Sequence, residues 1–138
     1  MVASEVLYAA ARLLMGGYFA FSGLNHFMMP DDLAGWIRSK GLPAPEALVY
    51  VSGGLLIAGG IGVVTGAAPV ASWGALTLFL LVVTPVFHDF WNMEGDERQQ
   101  NMINFLKNIA LIGGLLFFAA AVESGTFGRV FLSLSLIG

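Results

Sequence analysis

The run from Ala47 to Phe87 contains no charged residue, and this constrains the fold more than any other feature of the sequence. Over all 138 residues, 57% are hydrophobic and 11% are charged. Soluble domains average about 25% charged residues, so this chain lacks the polar side chains that would coat a soluble surface. Lipid offers the backbone no hydrogen-bond partners, and the apolar segments are therefore predicted to form membrane-spanning helices.

Four segments have the length of about 20 residues that a helix needs to cross a hydrocarbon core of about 30 Å. They are about Ser4–Met28, Glu46–Thr65, Pro69–Phe87 and Met102–Val122. We predict an all-α, polytopic membrane protein in which residues 1–138 form a single domain. Because consecutive spans cross in opposite directions, that domain is predicted to be an antiparallel bundle of four transmembrane helices.

Two segments are too short to be spans. In PDDLAGWIRSKGLP, which follows the first span, the apolar residues Leu33, Trp36 and Ile37 share one side. This pattern predicts a short interfacial helix anchored by its tryptophan, with Asp31 or Asp32 as the N-cap. The last segment, GTFGRVFLSLSLIG, alternates apolar and polar residues near its end, and we expect it to lie along the interface or pair with another element.

Small residues predict where the helices approach each other closely. Four of them recur at every fourth position of the second span: Gly54, Ala58, Gly62 and Gly66. On the first span a stripe with alternating spacings of four and three contains Arg12, Gly16, Phe19, Gly23 and His26. Residues at these spacings share one helical face, so we expect the second stripe to face the interior of the bundle.

Polar residues are concentrated directly after the charge-free run, in FHDFWNMEGDERQQNMINFLKN, Phe87–Asn108. In an antiparallel bundle, the end of the first span, the end of the third and the start of the fourth lie on one side. His26 and His88 are therefore predicted to lie at the same end. The middle of the segment, EGDERQQ, is interpreted as a solvated loop, whereas polar groups within a span are costly and typical of functional positions.

The candidate site at this end consists of His26, His88, Trp91, Asn104, Lys107 and Asn108. Asn104 and Asn108 share a helical face with Asn101. Structural explanations stay open: Lys107 can extend to the lipid headgroups, and either histidine can be an interfacial residue bonded to the backbone. Arg12 lies nearer the opposite end, where Glu5 or Glu123 is the expected partner in a structural or functional ion pair.

The segment from His88 to Asn108 resembles the signature of the DoxX family of small four-helix membrane proteins. The resemblance rests on an H-x-x-W segment, an acidic and polar loop, and N-M-I-N-F-x-K-N before a glycine-containing helix. ARLLMGGYFAFSGLNHF and LIAGGIGVVTGAAP resemble the family's first helix and its second helix with the following turn. The family's polar positions then correspond to Arg12, His88, Trp91, Asn101, Asn104, Lys107 and Asn108.

The chain also departs from the family pattern. His26 stands where many members have lysine, and Ser52 with Gly53 stands where members often have a glutamate. Some relatives are linked to thiosulfate:quinone oxidoreduction or accompany terminal oxidases. The resemblance therefore implies an integral protein of a prokaryotic cytoplasmic (inner) membrane, associated with membrane redox complexes.

A quinone-binding membrane subunit is the first functional hypothesis. The candidate polar residues can donate hydrogen bonds to quinone carbonyls, and Phe87, Phe90 and Trp91 can stack on the ring. No cysteine or nucleotide motif is present to carry electrons, so no intrinsic cofactor is predicted, and whether the chain is itself an enzyme stays open. Electrons would come from other membrane redox subunits.

The alternative is a non-catalytic accessory or scaffold subunit of a larger complex, and a homo-oligomer is compatible with either hypothesis. A haem held by His26 and His88, or a small-solute transporter, is favoured less by the sequence. No metal site is predicted, and the net charge of −3 argues against nucleic acid as a partner.

Overall fold

A computed structural model describes residues 3–125, and over that range every regular element is helical. The elements are α1 (Ala3–Met28), α2 (Pro30–Ser39), α3 (Pro45–Thr65), α4 (Pro69–Phe87), a short 3₁₀ helix (Phe90–Asn92) and α5 (Gly95–Glu123). These bounds match the helices predicted for the first three spans and the short helix between the first two. The expectation for the last segment concerns residues that, apart from Gly125, lie outside the described range.

Prolines begin three of the helices, because the first position of a helix does not need its N–H. Pro30, Pro45 and Pro69 occupy this position in α2, α3 and α4. The predicted N-cap of α2 is wrong, since Met29 is the capping residue. Asp31 and Asp32 instead lie in the first turn, where their charge interacts favourably with the helix dipole.

The helix that contains the predicted fourth span begins before that span. α5 starts at Gly95 rather than Met102, so the segment interpreted as a solvated loop is almost entirely helical. Asp96 and Glu97 in the first turn favour a helix start, and the glutamines that follow are good helix formers. The prediction failed because polarity was taken as a sign of a loop rather than of a helix that extends beyond the membrane.

α3, α4 and α5 are each long and apolar enough to cross a membrane. α1 runs antiparallel along α3, with Gly16 against Gly60 and Gly23 against Gly53. It therefore lies at the same depth as α3 and completes the predicted four-helix bundle. The core contains residues from all four long helices: Phe19, Leu56, Val63, Leu76, Leu80 and Leu115.

The predicted glycine stripe on α3 is only partly right. Gly54 and Ala58 are exposed, whereas Gly53 and Gly60 make the contact with α1. Gly62 is buried, but it faces Ser72 of α4. The glycine-rich sequence puts small residues on several faces of α3, so spacing alone did not identify the face that meets α1.

The predicted interior stripe of α1 is confirmed. The buried residues of this helix are Arg12, Gly16, Phe19 and Gly23, while His26, the next member of the stripe, is half-buried. The stripe thus runs along α3 and ends at the side of the bundle where α2 begins.

Candidate functional site

A groove of about 480 Å³ lies between α3 and α4 and is covered at one end by α2. Its polar lining residues are His26 and Ser52; aliphatic and aromatic side chains from α2, α3, α4 and the α2–α3 connection form the rest. Val51, Leu78 and Val82 are more than half exposed, so the long side of the groove is open to lipid. The groove is apolar, laterally open and roofed at the bundle end.

His26 is the ionisable side chain in the lining of this groove. Its Nδ1 lies 2.9 Å from the carbonyl oxygen of Ser22, one helical turn earlier. A carbonyl can only accept, so Nδ1 carries the proton and Nε2 is the basic nitrogen of the neutral ring. The ring also packs edge-on to Phe79 of α4, with centroids 6.4 Å apart. These two contacts hold the imidazole in one orientation.

Trp36 of α2 forms the roof of the groove. Its ring lies 5.0 Å from that of Phe87, edge to face, and 5.6 Å from that of His88. Leu33, one turn earlier, and Ile37, the next residue in the chain, also line the groove. The apolar side predicted for this helix therefore faces a cavity, and the role of Trp36 as an interfacial anchor stays a prediction.

Two ion pairs hold α2 in place. Lys40 Nζ lies 2.6 Å from Asp89 Oδ1, and both side chains are about four-fifths buried, at 20% and 18% exposed. Arg38 pairs with Glu46 at the start of α3, and both of these side chains are exposed. The first pair connects the end of α2 to the end of α4, and the second connects α2 to α3.

His88 lies next to Trp36 but does not line the groove. It is 8% exposed, and its Nδ1 lies 2.9 Å from Asn101 Oδ1 on α5. The amide nitrogen of Asn101 in turn donates to the carbonyl of Glu97. The amide oxygen can only accept, so Nδ1 of His88 is the donor. This bond ties the end of α4 to the first turns of α5.

The other predicted site residues lie at the same end but have separate surroundings. Trp91 is 54% exposed and packs edge-on against Phe90 and Phe105. Lys107 is exposed, with its ammonium 5.9 Å from the centroid of Tyr18. Asn104 is half-buried and Asn108 is buried. Neither cavity described in the structure is lined by them, and their role in ligand binding stays a prediction.

Arg12 points into the bundle, as predicted, and is 5% exposed. Its Nε donates to the carbonyl of Val63 at 3.2 Å, and its Nη2 donates to that of Val64 at 2.7 Å. These carbonyls belong to the last turn of α3, where no N–H of the helix itself is available. The guanidinium therefore caps α3, and a positive charge is favourable at this end of the helix dipole.

The proposed ion pairing of Arg12 with Glu5 or Glu123 stays a prediction. Glu5 lies in the first turn of α1, and Glu123 ends α5. The latter residue lines a second cavity of about 330 Å³ between the start of α4 and the end of α5, with Trp73 on its wall. This cavity lies at the opposite end of the bundle from His26. Within residues 3–125, no cluster of three His, Asp or Glu side chains has the arrangement of a metal site.

The site features that sequence reasoning missed are the groove itself and the pair formed by Lys40 and Asp89. Lys40 follows α2 and Asp89 follows α4, and no spacing rule pairs residues so far apart in sequence. The groove depends on the distance between α3 and α4, and this distance is not encoded in the spacing of residues on either helix. The aromatic side of α2 was the available signal.

Comparisons with known proteins identify the family of the chain and a relative in a membrane. The family model described as DoxX matches residues 7–89, more than half of the chain. Inner membrane protein YphA of Escherichia coli (strain K12) is 31% identical over 120 residues, which cover 85% of this chain and 84% of that protein. No solved structure is a significant match. The inner-membrane location of this relative agrees with the location predicted from the sequence.

Proposed function

The chain belongs to the DoxX family, and we propose that it is a membrane subunit that binds a quinone in the groove beneath α2. The observation that supports this most directly is a single groove that combines an apolar, laterally open wall with one oriented imidazole. A quinone has a flat, polar head and an apolar tail, and it reaches its sites through the membrane. The tail would lie along α3 and α4, and the head would lie beneath Trp36.

The residues around the groove offer chemistry that suits such a head. Phe79, Phe87 and Trp36 provide aromatic surfaces, and the basic Nε2 of His26 can accept a proton from a hydroquinone hydroxyl. In its protonated form the same nitrogen can donate to a quinone carbonyl. Quinone reduction consumes two electrons and two protons. His26 can exchange protons, and a redox partner subunit would supply the electrons.

Tryptophan fluorescence tests this proposal directly. The chain has three tryptophans, and a Trp73→Phe, Trp91→Phe background leaves Trp36 as the reporter. In lipid nanodiscs, a short-tailed quinone analogue should quench Trp36 saturably, because quinones quench indole on contact. His26→Ala should weaken the Kd about tenfold, the effect of losing one hydrogen bond worth about 1.4 kcal/mol.

His88→Ala is the matched control, since His88 contacts Trp36 but does not line the groove. It should lower the thermal midpoint through loss of the Asn101 bond and change the Kd less than His26→Ala does. Non-saturable quenching would contradict quinone binding in the groove. A larger loss of affinity in His88→Ala than in His26→Ala would instead favour a pocket around His88.

A scaffold function is the second candidate, and the exposure of α5 favours it. Only 17% of the apolar window of α5 is buried within the molecule, compared with 39% for α3. A neighbouring subunit could cover this surface as readily as lipid. Purification in mild detergent distinguishes the two functions: co-purified quinone supports the first, and a redox complex retained without quinone supports the second.

A further inference from the structure

α2 is attached to α3 and to α4 in different ways. It packs along α3, and the Arg38–Glu46 pair joins it to the first turn of that helix. Towards α4 the contacts described are made by side chains: Trp36 against Phe87 and His88, and the Lys40–Asp89 ion pair. The edge of α2 at α4 is therefore closed by side chains that can separate without unfolding either helix.

The Lys40–Asp89 pair is placed where it can hold this edge closed. Lys40 caps the C-terminus of α2, and Asp89 follows the end of α4. The carboxylate is itself oriented, because its Oδ2 accepts from the side-chain amide of Asn92 at 3.2 Å. Both charged side chains are largely shielded from water, so their attraction is screened less than that of the exposed Arg38–Glu46 pair.

Short backbone connections bound α2 on both sides. Met29 alone separates it from α1, and residues 40–44 connect it to α3. Two of these connecting residues, Gly41 and Ala44, have left-handed backbone angles, with φ of 72° and 48°. Such turns are points where a chain changes direction, and they bound α2 on the side of its attachment to α3.

We propose that α2 is a movable roof over the groove and that the Lys40–Asp89 pair is the latch that holds it closed against α4. With the latch closed, the groove is reached from lipid and the head of a bound ligand is shielded from the aqueous phase. With the latch open, the edge at α4 admits water to His26 while the edge at α3 acts as the hinge. The shielding of a bound ligand by α2 rests on the proposed function, but the motion of α2 can be tested without any ligand.

The chain contains no cysteine, so one introduced thiol reports the accessibility of the groove. Ser52→Cys places this thiol in the groove lining. In nanodiscs, a charged thiosulfonate reagent that stays in water measures access through the roof, and an apolar maleimide measures access from lipid. Adding Lys40→Met should raise the rate with the charged reagent about tenfold, the change that about 1.4 kcal/mol produces. The rate with the maleimide should change less than about twofold.

Arg38→Met is the matched control, because it removes the ion pair to α3 and leaves the edge at α4 intact. It should leave both rates unchanged. Asp89→Asn should reproduce the effect of Lys40→Met, and the exchanged pair Lys40→Asp with Asp89→Lys should restore slow labelling. These results would establish the roof whether or not a quinone binds.

Three outcomes would overturn the proposal. The first is an unchanged rate with the charged reagent in both latch variants. The second is an equal increase in Arg38→Met, which would indicate general loosening of α2. The third is an equal rise with both reagents, because opening of the whole bundle would expose the thiol from every side.

Discussion

α3 packs closely against α1 on one face and borders an open groove beside α4 on another. On one face, Gly53 and Gly60 lie against the backbone of α1, and a Cβ on Gly60 would lie 2.5 Å from the carbonyl oxygen of Gly16. On the other face, Leu48, Val51 and Leu55 line the groove beside α4. In a chain with so little charge, the size of the side chains determines which helices meet at their backbones.

α3 and α4 also differ along their own contact. Near the turn that joins them, Gly59 packs against Leu76 and Gly62 against Ser72, so the two helices are close. The groove lies toward their other ends, where larger side chains line both walls. The same pair of helices is thus closed near the Arg12 end of the bundle and open near the His26 end.

The largest effect on stability is expected where α3 packs against α1. Gly60→Ala should lower the free energy of unfolding by about 3 kcal/mol, because the new methyl group meets backbone atoms of α1 that cannot rotate away. Gly54→Ala is the control on the same helix, since a Cβ there meets no atom within 4 Å. This change should not lower the free energy of unfolding, and the higher helix propensity of alanine can raise it by up to about 1 kcal/mol. Thermal unfolding in detergent that gives equal midpoints for the two variants would contradict the close α1–α3 contact.

A smaller loss of stability is expected when Arg12, which caps the C-terminus of α3, is replaced. Arg12→Met keeps an unbranched side chain at this position but leaves the carbonyls of Val63 and Val64 without their donors. Leaving buried polar groups unsatisfied costs about 1–3 kcal/mol. Denaturant unfolding should therefore place this variant between Gly60→Ala and the wild type. Arg38→Met, which breaks an exposed ion pair, should lose less than about 1 kcal/mol.

The smallest effect on stability is expected in the groove beside α4, where a substitution should instead abolish binding of the quinone analogue. Ser52→Leu fills part of the groove, but its side chain can extend toward lipid because this wall is laterally open. The hydroxyl that is lost bonds to the carbonyl of Leu48 in its own helix, so no contact between helices is broken. The thermal midpoint should stay within about 2 °C of the wild type, a shift below about 0.5 kcal/mol. Saturable quenching of Trp36 by the quinone analogue should disappear, and retained quenching would show that the head does not bind in this groove.

The sequence predicted the parts of the fold that depend on local patterns. The charge-free run located α3 and α4 to within a residue, and the spacing of Arg12, Gly16 and Phe19 identified the buried face of α1. The start of α5 was placed too late, because a polar helix that emerges from the membrane has the composition of a loop. Local composition therefore identified the spans but not the full length of every helix.

The site was less predictable, because it depends on contacts between residues far apart in sequence. His26 was a candidate from its position at the end of α1, and the structure places it in the groove. His88 was a candidate as well, but it bonds to Asn101 of α5 and does not line the groove. The position of α2 and the separation of α3 and α4 determine which histidine faces a cavity. No periodicity in the sequence encodes this position or this separation.

The position of a bound quinone head tests the central claim most directly. A photoreactive quinone with an azide on its ring should be incubated with the protein in nanodiscs, illuminated, and located by mass spectrometry of the peptides. The groove predicts label on α2 around Trp36 and on residues 78–87 of α4, with loss of label in Ser52→Leu. Label confined to residues 91–108, around Trp91 and Lys107, would contradict this account and place the site at the start of α5.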